Sequence, residues 1–287
     1  MPQPVLHLLL AHRTLDRWRV HEDVAPFDAA DRDLANAFRH GCLAPDYGLF
    51  PGGDATLSAI AHRGRTGDLV RALFAAADSP ARRAFACGWL AHVLADVAIH
   101  PLINRAAAEL AGNRHSLADH ISVEVGVDVY FCAGDATLRA LRLVPAFDRD
   151  GFTFLVDAVR TTHDYEVSSA RLVSMQRGLM RFTHAALHFA TSLAHDLCWT
   201  KTGAASRRHP ASALLWYTAT ALSPRASRVH AYLEPVRPVD WLAADTSAAL
   251  DRLLPALDDR LENLEGLPDH DLETGRLTRQ APDRSAA

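Results

Sequence analysis

The chain has 287 residues, of which 49% are hydrophobic, enough for a substantial core in one large domain or two small ones. Its formal net charge is −4 with histidine neutral, and no basic stripe follows the chain, which argues against a nucleic-acid-binding surface. The four cysteines are widely spaced and form no CxxC pair, so neither a zinc ribbon nor a redox motif is indicated.

Helical periodicity dominates the chain and predicts an all-α protein with one core. The predicted helices cover residues 5–18, 28–40, 54–62, 66–77, 80–100, 102–111, 116–132, 134–142, 150–162, 166–198, 209–222 and 239–264. Prolines and glycines predict a loop at 41–53, and three prolines predict a break at 223–238. We expect a single multi-helix domain over residues 1–267, followed by a disordered polar tail at 268–287.

The sequence carries no signal for secretion or for a membrane. The N-terminus lacks a basic segment before its short apolar run, so no secretory leader is expected. No stretch approaches the roughly 18 uninterrupted apolar residues of a membrane span. We therefore expect no transmembrane segment and a cytoplasmic location.

The segment GWLAHVLADVAIHPLIN, residues 88–104, places three metal-ligand residue types in an apolar run. His92, Asp96 and His100 stand at i, i+4 and i+8, so they share an arc of about 80° on one helix face. The two histidines are about 12 Å apart along the axis, whereas metal–histidine bonds are only about 2.0–2.1 Å long. We therefore expect two ions, with Asp96 reaching or bridging near the His92 end. The alternative is a metal-free buried polar network, in which an unpartnered carboxylate is expensive.

A second row follows on the next predicted helix, where His120, Glu124 and Asp128 repeat the same spacing. Two such helices can present ligand faces to each other, as in helix-bundle metal sites. The alternative for His120 and Glu124 is an exposed i, i+4 pair. We expect Asp128 to orient a metal ligand rather than to bind metal itself.

Three further candidates lie upstream of these rows, each with a simpler alternative role. Asp46 follows Pro45 in the 41–53 loop, and its alternative role is that of a turn residue. The alternative for His62 is to cap the end of a helix, and the alternative for His7 is to pack in the core. The complete set of candidate metal ligands is His7, Asp46, His62, His92, Asp96, His100, His120 and Glu124. Imidazole and carboxylate ligands suit zinc, and iron or manganese less clearly. We thus expect a multinuclear metal site between helices.

The ordered motifs resemble the zinc-dependent phospholipase C family, which is related to single-strand-specific nucleases with a trinuclear zinc site. The resemblance rests on APD at 44–46, the histidine at 62, GWLAHVLADVAIHP at 88–101 and H-x3-E-x3-D at 120–128. It covers roughly residues 5–130, and the ordered set of motifs is more specific than any one of them.

The resemblance implies which residues would hold the first zinc ion. Asp46, His62 and His92 would bind it, and Asp96 would reach it and bridge to a second ion. It also implies that Asp46 orients the attacking water as a general base. A zinc ion lowers the pKa of bound water to about 7, so a metal-bound hydroxide would be present at neutral pH.

The resemblance also implies ligands for the remaining ions. His100, His120 and Glu124 would hold another zinc, and His7 would help to hold the ion that shares Asp96. In the family the mature N-terminal amino group is a further ligand, whereas this chain shows no leader and starts six residues before His7. The expectation is therefore two or three zinc ions, with His12 as the substitute if His7 is a packing residue.

These residues favour a metal-dependent hydrolase of phosphoric esters, acting on a small-molecule or lipid phosphate ester. Two alternatives stay open: a metallohydrolase of a soluble non-lipid metabolite, and a non-catalytic helical scaffold braced by metal.

His184, His188 and His195 fall close to one face of a long helix, and we expect them to line the core or a cleft. No nucleic-acid partner is expected, and the sequence leaves the oligomeric state open.

Overall fold

The computed structural model describes residues 4–50, 52–111, 117–134, 136–201 and 240–278, and it confirms the predicted all-α fold. In these residues the α-helices are α1 Pro4–Val20, α2 Arg32–Leu43, α3 Ala55–His62, α4 Thr66–Ala76, α5 Pro80–Ala111, α6 Leu117–Gly134, α7 Ala136–Ala140, α8 Thr153–His163, α9 Ser169–Lys201 and α10 Asp240–Glu262. A 3₁₀ turn, η1, covers Ala44–Gly48 directly after α2. The helix predicted at 209–222 lies outside the described residues.

Helix α5 is longer than the sequence predicts. The expected break at Pro101 is wrong, because the helix continues through it from Pro80 to Ala111. A proline inside a helix removes one N–H donor, here the one that would bond to the carbonyl of Val97. The buried side chains of Ile99 and Ile103 on either side keep the helix packed through this defect.

The chain divides into two compact units. The first comprises residues 1–9, 102–142 and 181–247, and its core includes Val123, Val127 and Leu187. The second comprises residues 10–101, 143–180 and 248–287. Its core contains an aromatic cluster in which Phe85 contacts Phe147 with ring centroids 5.5 Å apart. The single domain predicted over residues 1–267 stays a prediction.

A short hairpin follows α10 in the second unit. Strand β1, His270–Asp271, pairs antiparallel with β2, Arg276–Leu277. The predicted disordered tail is therefore wrong for residues 268–278, and residues 279–287 lie outside the described part. The polar composition is misleading here because Leu267 and Leu272 are buried and anchor the segment.

One helix in the described part, residues 80–109 of α5, is long and apolar enough by length and composition to cross a membrane. Of its most apolar window, 67% is buried inside the protein, and core helices pass the same criterion. The same segment carries His92, Asp96 and His100.

Candidate metal centre

The row on α5 points one carboxylate at two histidines. Asp96 Oδ2 lies 3.1 Å from His92 Nε2, and Asp96 Oδ1 lies 3.8 Å from His100 Nε2. His92 and Asp96 are buried, and His100 is slightly exposed. The structure therefore places these three side chains on one helix face, with the two oxygens of Asp96 directed at different histidines.

The turn η1 and helix α3 bring two more candidates to the His92 end of this row. Ser58 joins the two elements: its hydroxyl donates to Pro45 O at 2.7 Å and accepts from Gly48 N at 2.9 Å. This junction buries Asp46 within η1 and leaves His62 at the last residue of α3. The structure therefore brings two residues 16 positions apart to one point.

The Nε2 atom of His62 lies close to ligand atoms of three other candidates there. His62 Nε2 lies 3.1 Å from Asp46 Oδ1, 3.4 Å from His92 Nε2 and 3.5 Å from Asp96 Oδ2. A tetrahedral ion with bonds of about 2.0–2.1 Å separates its ligand atoms by about 3.3–3.4 Å. The separations from His62 are close to that spacing, and Asp46, His62 and His92 form one group whose ligand atoms all lie within 4.8 Å of one another. These three side chains could hold one zinc ion, and Asp96 contacts both histidines of the group.

The ring orientations of the histidines favour the same conclusion. His62 Nδ1 donates to Ser58 O at 2.8 Å, and His92 Nδ1 donates to Cys42 O at 2.9 Å. Because a carbonyl oxygen only accepts, the Nδ1 atoms carry hydrogen, and Nε2 is the atom of each ring that faces inward and can bind either a proton or a metal ion. The centre thus gathers lone pairs and carboxylate oxygens, which a cation would stabilise.

The electrostatics show the same demand for positive charge. Burial disfavours the charged form of His62, but the hydrogen bond and charge of Asp46 and the charge of Asp96 outweigh burial and raise the pKa of His62 to about 9. Burial likewise opposes protonation of His92, and the charges of Asp96 and Asp46 raise its pKa above the ordinary value. A proton here occupies the place where a divalent ion would neutralise the two carboxylates.

The position of His92 depends on close packing between α2 and α5. A Cβ atom on Gly41 would collide with Phe85 O, and one on Gly88 would collide with Phe38 O. The two helices therefore meet backbone to backbone, which only glycine permits at these positions. This contact brings the carbonyl of Cys42, near the end of α2, within hydrogen-bond reach of His92.

The first unit holds the second predicted row. His120 Nε2 lies 2.9 Å from Glu124 Oε1, while His120 Nδ1 contacts Asn104 Oδ1 at 2.9 Å. Glu124 is buried and His120 is only slightly exposed, so the pair differs from an ordinary surface pair. Asn104, which orients the ring of His120, carries no signal in the sequence that marks it as a site residue.

The start of α1 is held by Asp128 within the same unit. The carboxylate of Asp128 accepts from Val5 N and Leu6 N, each at 3.1 Å. Burial raises the pKa of Asp128 well above its usual value, against the effect of these two hydrogen bonds. Asp128 thus fixes the first turn of the helix that carries the buried side chain of His7.

The sequence also singles out His12, His184, His188 and His195. His12 pairs with Asp16 at 3.2 Å on the surface of α1. His184 is half-buried on α9, and the side chains of His188 and His195 lie outside the described part. Their predicted position lining the core or a cleft stays a prediction.

Sequence comparison assigns the chain to a family. No curated protein and no solved structure matches it. A profile described as zinc dependent phospholipase C matches residues 6–177, more than half of the chain. This span contains Asp46, His62, His92 and Asp96. The chain therefore belongs to the zinc-dependent phospholipase C family.

Proposed function

We propose that the protein is a zinc-dependent hydrolase of phosphodiesters, with a lipid phosphate ester as its substrate class. The observation that carries the proposal is the buried group of Asp46, His62 and His92, whose ligand atoms lie within 4.8 Å of one another, together with the contacts of Asp96 to both histidines. Membership of the zinc-dependent phospholipase C family supports the choice of metal and of reaction class.

Asp96 is proposed to serve two ions. One of its oxygens faces the His62–His92 pair, and the other faces His100. Bound zinc would lower the pKa of water and stabilise charge on the attacking and leaving oxygens at phosphorus. His7, His120 and Glu124 complete the proposed ligand set, and their assignment rests on the family pattern alone.

Asp46 is proposed both to bind zinc and to accept the proton of the attacking water. Its carboxylate is 1% exposed and lies beside His62, which holds it in place. Because bulk water is largely excluded, electrostatic interactions of this carboxylate are stronger than they would be at the surface. A buried carboxylate in this position can orient a water molecule and hold its proton.

The test compares Asp46→Asn with Asp54→Asn, a matched change in the neighbouring loop. Asp54 caps α3 through Thr56 N and Leu57 N, and asparagine preserves that cap. Zinc content and hydrolysis would be measured with phosphatidylcholine vesicles, a soluble phosphodiester and a phosphate monoester. We expect Asp46→Asn to lower kcat by about 10²–10⁴-fold and Asp54→Asn to leave it unchanged.

Other outcomes of this experiment would distinguish the proposed function from its alternatives. Less than one zinc per chain together with no hydrolysis would overturn the proposal. Hydrolysis of soluble esters alone would replace the lipid by a soluble metabolite, and zinc binding without any hydrolysis would favour the metal-braced scaffold. The cytoplasmic location stays a prediction that cell fractionation would test.

A further inference from the structure

The segment Leu267–Thr278, here called the strap, lies beside the metal centre although it is far from the family match in sequence. The match ends at residue 177, and the strap contains the hairpin that follows α10. Its side chains Leu267 and Leu272 are buried. The strap is thus a packed part of the second unit.

One peptide of the strap contacts both ligand-bearing elements. Leu272 N donates to His62 O at 2.9 Å, and Leu272 O accepts from His100 Nδ1 at 2.6 Å. The second bond keeps hydrogen on Nδ1 and directs Nε2 of His100 toward Asp96. Leu272 therefore determines how His100 is presented and holds the backbone of His62.

We propose that the strap is a positioning element of the zinc centre. Partners that orient metal-bound histidines commonly contribute about 10–100-fold to metal affinity, and here the peptide of Leu272 has that role for His100. The inference rests on the proposed function, because it requires that His62 and His100 bind zinc. None of the candidate metal-ligand groups among the described residues includes a residue of the strap.

The strap is anchored at the connection between α3 and α4. Asp269 Oδ1 accepts from Gly67 N at 2.8 Å and from Asp68 N at 3.2 Å, which caps the first turn of α4. Arg63, directly after His62, pairs with Glu273 through contacts of 2.7 and 2.8 Å. The Arg63–Glu273 pair is exposed and weak, so Asp269 is the more important anchor.

At its other end the strap reaches α5 next to His100. Gly275 has φ +70°, and a Cβ atom there would lie 2.7 Å from Val97 O and 2.8 Å from Pro101 Cγ. The Val97 carbonyl is the one that Pro101 leaves without its helical donor. Only glycine allows the strap this approach, since a side chain would be both strained and in collision.

The experiment compares Gly275→Ala with Gly52→Ala in the full chain. Gly52 has φ +82° and no atom within 4 Å of its added Cβ, so it reproduces the backbone strain without the collision. Zinc affinity would be measured by competition with a chelator, and the site by the visible spectrum of the cobalt-substituted protein. We expect Gly275→Ala to weaken zinc binding about 10-fold or more and to alter the cobalt spectrum, while Gly52→Ala does neither.

A second variant keeps the inference testable if Gly275→Ala does not fold. Asp269→Ala releases the α4 anchor, and Asp31→Ala is its control because Asp31 caps α2 in the same way through Asp33 N and Leu34 N. We expect Asp269→Ala to weaken zinc binding more than Asp31→Ala. Zinc affinities and spectra equal to those of the controls would overturn the role of the strap alone. A wild-type chain that binds no zinc would overturn the proposed function, and the inference with it.

Discussion

Replacing Gly88 with alanine tests whether close packing of α2 and α5 holds the metal centre. Besides colliding with Phe38 O, the new Cβ would lie 2.8 Å from Cys42 N and 2.9 Å from Gly41 Cα, where 3.4–4 Å is ordinary contact. The two helices must therefore separate by about 1 Å. That displacement also breaks the 2.9 Å hydrogen bond from His92 Nδ1 to Cys42 O.

The expected change in the free energy of unfolding of Gly88→Ala is the sum of three contributions, two destabilising and one stabilising. Overpacking costs about 1–3 kcal/mol, and loss of the His92 hydrogen bond costs about 1 kcal/mol. Alanine instead of glycine inside a helix favours folding by about 1 kcal/mol. We therefore expect Gly88→Ala to reduce the free energy of unfolding by about 1–3 kcal/mol.

The assay is urea denaturation of the metal-free protein at neutral pH. Ala108→Gly, at an exposed position of the same helix, is the control that measures helix propensity alone. If Gly88→Ala raised the free energy of unfolding by about the amount that Ala108→Gly lowers it, propensity would dominate. That result would refute the reasoning about the glycine contact.

Three further predictions concern stability. Burial lowers the pKa of His40 to about 4. Because the unfolded chain binds a proton at this residue below about pH 6.5, the free energy of unfolding should fall by about 3 kcal/mol between pH 6.5 and pH 4. Urea titrations of His40→Gln should show a weaker pH dependence. Ser58→Ala leaves Gly48 N and Pro45 O without their partner, so denaturation should show a loss of about 1–3 kcal/mol. Zinc at about 100 times its Kd should add about 2.7 kcal/mol, and a melting temperature insensitive to chelator would contradict zinc binding.

The helical fold and the row on α5 could be predicted because both depend on local spacing. Three polar side chains spaced four residues apart in an apolar run must lie on the same face of a helix. The structure places His92, Asp96 and His100 on such a face. Asp46 and His62 lie on different elements, so spacing alone could not bring them together. The family resemblance grouped Asp46 with His62, and the structure shows that hydrogen bonds of Ser58 connect η1 to α3 and so bring the two residues together.

Two features could not be predicted because they depend on tertiary contacts. The sequence predicts a break at Pro101, but packing of α5 outweighs one lost backbone hydrogen bond. The strap looks like a polar tail because its main contact to the site is made by the peptide of Leu272. Every residue except proline has the same backbone N–H and C=O groups, so a contact made by the backbone cannot be recognised from the residue type in a sequence motif.

The hydrogen bond between Leu272 and His100 has a consequence for protein synthesis. The two residues are 172 positions apart in the chain. At about 5–20 residues per second, roughly 10–30 s separate the addition of His100 from that of Leu272. The nascent chain therefore exposes its candidate ligands well before the last peptide that orients them exists. We expect tight zinc uptake to be a late event, completed only once Leu272 has left the ribosome.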